Sequence, residues 1–228
     1  MSEPLEQIAR DVIACRRCPR LVAWRQAVAQ RRPRRYADWE YWGRPVPGFG
    51  DPEGRVLVVG LAPAAHGGNR TGRIFTGDRS GDWLFRTLHR AGLANQPISQ
   101  HREDGLRLSG AYVTAVVRCA PPGNRPAPAE RDNCLPYLER ELAALPYVRV
   151  FVTLGAYALD GLSRALGLRP RPRFGHGQEV PLPEGRVILC CFHPSQQNTF
   201  TGRLTEGMLD QVFARAAALA EGSISPAR

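Results

Sequence analysis

Hydrophobic positions along the chain fall into two kinds of segment that alternate. Four short stretches are continuously apolar: residues 55–60 (RVLVVG), 111–117 (AYVTAVV), 148–154 (VRVFVTL) and 186–192 (RVILCCF). Unbroken runs of this length, rich in Val and Ile, mark strands buried on both faces. Between and after them, apolar residues recur at helical spacing: 83–93; 129–145 with Leu135, Leu138 and Leu142; 156–166; and 205–221 with Met208, Leu209, Val212 and Phe213. Pro136 should confine or kink the second of these helices. Ahead of the first strand, Ser2 and Pro4 can open a helix with the stripe Leu5, Ile8 and Val12, ending at Cys15. A second helix follows through Leu21, Val22, Trp24 and Val28, and residues 31–52 read as a long loop without a sustained period. Strands alternating with helices predict an α/β protein: a three-layer α/β/α sandwich with a central four-stranded parallel sheet.

Composition narrows the class. With 228 residues, 43% hydrophobic and 23% charged, the chain is long enough for one ordinary globular domain, and a disordered or fibrous chain is excluded. No apolar run approaches the roughly 20 residues that span a bilayer. The opening, MSEPLEQIARD, is acidic where a signal peptide is basic and then apolar, so a soluble, cytoplasmic protein with no membrane partner is expected.

Charge then suggests a partner. Thirty-one basic against twenty-one acidic residues leave a net charge of +10, and every one of those cations is Arg. Arg grips phosphate with paired hydrogen bonds and stacks on bases, which favours a nucleic-acid partner over a merely basic surface. A GC-rich genome would account for the missing Lys while leaving the excess charge in place.

In parallel sheets, working groups gather in loops beyond the carboxyl ends of the strands. Residues 61–81, 118–128 and 193–203 are the three least bland stretches here. The first belongs to GLAPAAHGGNRTGRIFTGDRSGDW, whose six glycines can fold around something flat or anionic. It lacks the signatures of a P-loop or a dinucleotide site. It carries His66, Asn69, Arg70, Arg73, Phe75 and Asp78; Asp78 or Asp82 could equally cap the helix that follows. In HPSQQNTFTGRLT, His193 stands at a strand end with Asn198, Thr201, Gly202 and Arg203 close behind. His66 and His176 either touch phosphate or pack within loops.

Six cysteines in a reducing compartment point away from disulfides. Cys15 and Cys18 form a CxxC, and Cys119 and Cys134 are separated by fourteen residues. Four thiolates can hold a tetrahedral zinc or an iron–sulfur cluster, and spacing alone does not choose. Arg16, Arg17 and Arg118 would offset the charge of such a centre. Cys190 and Cys191, inside an apolar strand, read as core residues.

Taken together, YWGRPVPGFGD, GLAPAAHGGNRTGRIFTGDRSG, VVRCAPPGNRP, FGHG, HPSQQNTFTGRLT and the four-Cys pattern closely resemble the B-type (family 5) uracil-DNA glycosylases, from Cys15 to about Phe213. The resemblance implies a single domain over 1–228, in which a [4Fe–4S] cluster on Cys15, Cys18, Cys119 and Cys134 ties the N-terminal segment to the sheet. It implies excision of uracil from DNA by cleavage of the N-glycosidic bond, by a monomer with no obligate protein partner. Residue by residue, Phe75 fits the aromatic that stacks on the extruded base, His193 the imidazole beside the base carbonyl, and Asn198 and Asp78 polar groups near the sugar. Asp78 and His193 are then the catalytic candidates, and Asn69, Arg73 and Arg203 the DNA-contacting ones. Where A-type relatives have GEAPG and TNVVKC, this chain has Gly60 to Ala64 as GLAPA, and Thr114, Ala115, Val116, Val117, Arg118 and Cys119. Leu61 thus replaces an acid, and Ala64 and Ala115 line the implied base pocket. Ala115 replaces the Asn that reads the uracil edge, so a pocket that also accepts hypoxanthine and xanthine is expected. Two rival classes are a non-catalytic metal-bearing nucleic-acid module, which needs neither His193 nor Asp78, and a nuclease, for which Asp78 and Asp82 are thin support.

Overall fold

The computed structural model describes residues 3–222. Ser2 and the end of the 1–228 span lie outside them. Helices α1 (Glu3–Ala14) and α2 (Pro19–Gln30) precede strand β1 (Phe49–Gly50). The sandwich follows as β2 (Val56–Gly60), α3 (Gly68–Thr71), α4 (Arg79–Arg90), β3 (Ala111–Ala115), α5 (Pro128–Ala144), β4 (Val150–Leu154) and α6 (Ala156–Ala165). It closes with β5 (Glu179–Pro181), β6 (Val187–Cys191), α7 (Gln196–Phe200) and α8 (Glu206–Ala220).

The four apolar runs became β2, β3, β4 and β6, every residue of which is buried. They pair in parallel in the order β3-β2-β4-β6. Side chains alternate across the sheet as strand geometry requires. Val56 and Val58 join Leu84, Phe85 and Leu88 of α4 and Val212 and Phe213 of α8 in one core. Leu57 and Val59 join Leu5 and Val12 of α1, Leu138 of α5 and Leu162 of α6 in the other. Each such fully buried side chain contributes roughly 1.5–3 kcal/mol.

Three expectations need correction. The sheet has six strands, because the short β1 and β5 add antiparallel to its two edges. Two or three residues carry too little periodicity to be read as strands. Residues 31–52 are accordingly not all loop. Third, α5 runs through Pro136 without ending. Tyr137, Leu138 and Glu141 beyond the proline are all buried, and their packing outweighs the roughly 3 kcal/mol that an internal proline costs.

Arg118, at the end of β3, is fully buried and donates two hydrogen bonds to Glu141 of α5, at 2.9 and 2.6 Å. Thr114 Oγ1 donates to the same carboxylate at 2.6 Å. Removing either partner would strand a buried charge, so this pair fixes the strand end against α5.

Candidate active site and cysteine centre

A single cleft opens at the carboxyl rim of the parallel strands. Its walls come from all four following segments: Leu61 to Asp78 after β2, Gly123 to Arg125 after β3, Leu154 to Tyr157 at the end of β4, and His193 to Gln197 after β6. Arg35 and Tyr36 close one side. The turn after β4 and the Arg35–Tyr36 pair escaped sequence reasoning. Gly155 was their one available signal, a glycine with φ +93° that lets β4 turn straight into α6.

Phe75, Asp78 and His193 all line this cleft. Phe75 adopts φ +54°, unusual for a bulky residue, and its ring lies over Gly60. A Cβ at Gly60 would sit 2.7 Å from that ring, so the glycine at the strand end is what admits it. The Phe75 and His193 rings are 5.8 Å apart between centroids. Asp78 is the N-cap of α4, its Oδ1 accepting from the Gly81 amide at 3.0 Å. The cap and the cleft-lining role therefore coexist in one side chain. Its Oδ2 rests against Gly67, where a Cβ would collide with it. Asp82 does not line the cleft.

Burial raises the Asp78 carboxyl to about 6, against the opposing hydrogen bond from Gly81. Burial lowers the His193 imidazole to about 4, so near neutrality it is uncharged. His193 Nδ1 is shut from solvent and has no hydrogen-bond partner. A neutral imidazole lining the same cleft as a carboxylate that titrates just below neutrality suits a reaction in which one group donates a hydrogen bond and the other takes a proton.

Other expected site residues went elsewhere. Asn198 does not line the cleft; its amide donates to the His193 carbonyl at 2.8 Å and so braces that loop. Asn69 is fully buried and donates to the Arg25 carbonyl at 3.2 Å, out of reach of DNA. Arg73 is buried in an ion pair with Asp104 at 2.7 Å and bonds Ser99, which anchors the 95–108 loop. Ala115 is 2% exposed and packs in the core, paired in register with Gly60, whereas Ala64 does line the cleft. The family resemblance implied these residues at the site without revealing which way each side chain turns. Arg203 is exposed, over the Phe192 ring at 4.6 Å. His176 accepts from the Phe192 amide at 3.1 Å and stacks on its ring, a packing role next to His193. His66 lines the cleft with Nδ1 3.0 Å from the Tyr41 hydroxyl. Asn124, unmentioned by sequence reasoning, lines the opposite wall with φ +56°.

Cys15, Cys18, Cys119 and Cys134 line one small cavity on the far side of the sheet end. They arrive from just past the end of α1, the N-cap of α2, the loop after β3 and the second turn of α5. Among the described residues, no three His, Cys, Asp or Glu side chains gather in a way that would hold a single metal ion. Burial pushes the Cys119 thiol up to about 12 and that of Cys134 up to about 11. Arg25 is buried beside them, donates to the Cys15 carbonyl at 3.4 Å and leaves Nε without a partner. Four sulfurs with an uncompensated buried guanidinium fit a negatively charged thiolate centre. Arg118, expected to offset that charge, lines the same cavity and acts on Cys134 through its amide and its charge while its guanidinium is paired with Glu141.

The uracil DNA glycosylase superfamily model matches residues 47–217. A type-5 uracil-DNA glycosylase of Mycobacterium tuberculosis is 55% identical over 212 residues, covering 92% of this chain and 79% of the relative. One of Thermus thermophilus is 53% identical over 216 residues, 94% of this chain and 98% of its own length. A type-4 uracil-DNA glycosylase of Sulfurisphaera tokodaii is 29% identical over 168 residues, 72% of this chain and 60% of the relative.

Proposed function

Because the chain belongs to the uracil DNA glycosylase superfamily, among its type-5 members, we propose that it is a DNA-repair enzyme that extrudes uracil and hydrolyses its N-glycosidic bond, leaving an abasic site. We extend its substrates to other deaminated bases, hypoxanthine and xanthine among them. The observation that carries this reading is the common cleft wall of Phe75, Asp78 and His193 at the rim of the parallel strands.

The target bond is inside the duplex, so the nucleotide must first flip out, at a cost of a few kcal/mol that is smallest for mispaired bases. Deaminated bases are mispaired. Phe75 stacks on the extruded base, a contact worth about 1–3 kcal/mol. Arg35, Arg79 and Arg125 of the cleft lining meet phosphates, and the exposed Arg203 adds a further positive charge over Phe192. Phe200, 68% exposed with Arg79 packed 4.3 Å over its ring, presses into the vacated stack.

As the bond to C1′ breaks, its electron pair leaves with the base. His193, held neutral, donates a hydrogen bond to the base oxygen where that charge grows. Water adds to C1′ and gives its proton to the Asp78 carboxylate, which returns it through solvent to the departed base anion. The products are a free base and an abasic sugar, with one water consumed. Leu61, Ala62, Ala64 and Ala65 of the first loop line the cleft without any side-chain hydrogen-bonding group that would penalise a base other than uracil, and the imidazole of His66 on the same loop is engaged by Tyr41.

Cys15, Cys18, Cys119 and Cys134 would hold a [4Fe–4S] cluster, which supplies a cross-link between the N-terminal helices and the sheet rather than a step of the reaction. The enzyme is read as a monomer acting on DNA in the cytoplasm. Duplex containing uracil, incubated with the protein in EDTA, should release free base without strand scission. Scission, or retention of the base, would overturn the reading. A panel of uracil, hypoxanthine and xanthine in matched duplexes tests the breadth of the pocket.

A further inference from the structure

Among the described residues four arginines are buried: Arg25, Arg70, Arg73 and Arg118. Arg73 and Arg118 hold carboxylates, Asp104 and Glu141. Arg25 faces the cysteines. Arg70, only 3% exposed, is in no ion pair among the described residues, although an uncompensated buried charge is expensive.

Its guanidinium is nonetheless held from several directions. Nε donates to the His66 carbonyl at 2.8 Å and Nη2 to the Gly77 carbonyl at 2.7 Å, tying together the two ends of the glycine-rich loop. The Tyr36 and Trp39 rings flank it, 4.1 and 4.0 Å from the guanidinium carbon. Nη1 is buried and has no hydrogen-bond partner. Gly77 immediately precedes Asp78 and has φ +72°; a Cβ there would strike Nη2. The turn that aims Asp78 is therefore built against Arg70.

We propose that Arg70 is a positioning residue for Asp78: its guanidinium fixes the Gly77 turn from which the carboxylate projects and stands as the buried cation behind that turn. This rests on the reading of Asp78 as the group that takes the proton from water. Burial is the main force against ionisation of Asp78 and the Gly81 amide the main one for it; Asp82 on α4 also opposes ionisation, and the Ser80 amide and then Arg70 on α3 favour it. His193 and His66 share the cleft wall, both with pKa lowered by burial, and Arg79 lies at its mouth.

The test is the pH profile of single-turnover base release. Arg70→Met keeps much of the side-chain volume and removes the charge. It should move the acid limb upward by about half a pH unit, lowering the rate below the limb about threefold and restoring it in alkali. Arg70→Lys keeps the charge and should leave the limb at its wild-type position even where the rate falls. Asp78→Asn, measured alongside, should abolish the limb. If it does so while Arg70→Met leaves the limb unmoved, the role of Arg70 is overturned and that of Asp78 stands. A limb that survives Asp78→Asn overturns both. Should the Arg70 variants not fold, Trp39→Leu opens one face of the guanidinium to water and screens it; an upward shift supports the proposal and an unmoved limb overturns it.

Discussion

His193 and Asp78 carry the predictions that single side chains can decide. His193→Ala should slow single-turnover release by about two to three decades while leaving affinity for abasic DNA nearly intact, as expected when a group acts on charge that develops in the transition state. The wild-type rate should rise with pH through about 6, where Asp78 loses its proton, with His193 uncharged throughout because its imidazole is lowered to about 4. Stability carries the opposite signatures of the two groups. Between pH 6.5 and about 4 the unfolded chain takes up a proton at His193 that the folded chain refuses, so this residue destabilises the fold as pH drops. Asp78, raised from 3.8 to about 6, binds its proton more tightly when folded and adds stability as pH falls through that window. Urea unfolding of His193→Gln at pH 7 and pH 5 should show less acid destabilisation than the wild type. That both residues belong to one cleft was legible from their motif strings. The inward turn of Asn69 and Arg73 was not, because a polar side chain in a glycine-rich loop can face solvent or core with the same local sequence.

At the scale of elements, the site is a set of strand ends and helix starts that glycines allow to approach. Gly67→Ala should displace Asp78 and depress turnover with little change in melting temperature, since the new methyl meets a side-chain oxygen rather than the core. Gly81→Ala should be harsher, because its Cβ would collide with the Phe75 backbone carbonyl. Helix α7 acts through two groups. Asn198→Ala frees the His193 carbonyl and should reduce the rate by about tenfold, less than removal of the imidazole itself. Phe200→Ala should weaken action on duplex more than on single strands, where no stack has to be opened; equal losses on both would remove Phe200 from base extrusion. The apolar runs foretold β2, β3, β4 and β6 closely. The edge strands and α7 were missed because two to five residues cannot display a period.

Across the whole molecule, positive charge and the cysteine centre set the behaviour. A net charge of +10 carried by Arg should make DNA affinity fall steeply and log-linearly with salt, and a binding titration over several salt concentrations reads that slope. Cys18→Ser should lower the melting temperature and loosen α1 and α2, which hydrogen exchange would register as lost protection in residues 3–30 ahead of the sheet. Any fall in base release should then track the folded fraction, because the cysteine cavity and the cleft do not share a lining residue.

The order of the main strands and helices, the parallel pairing at the centre of the sheet and the loops that line the cleft were written in the one-dimensional pattern. Hydrophobic period and glycine placement are local properties of a chain, and they dictate local geometry. What only the tertiary structure decided is the destination of the polar side chains. Arg25 and Arg70 are buried without carboxylates, one beside the cysteines and the other behind Asp78, while Arg73 found Asp104 and Ala115 went into the core. The reason is that burial of a charge depends on partners brought together from distant segments, Tyr36 and Trp39 onto Arg70 among them, and no window of sequence contains that encounter.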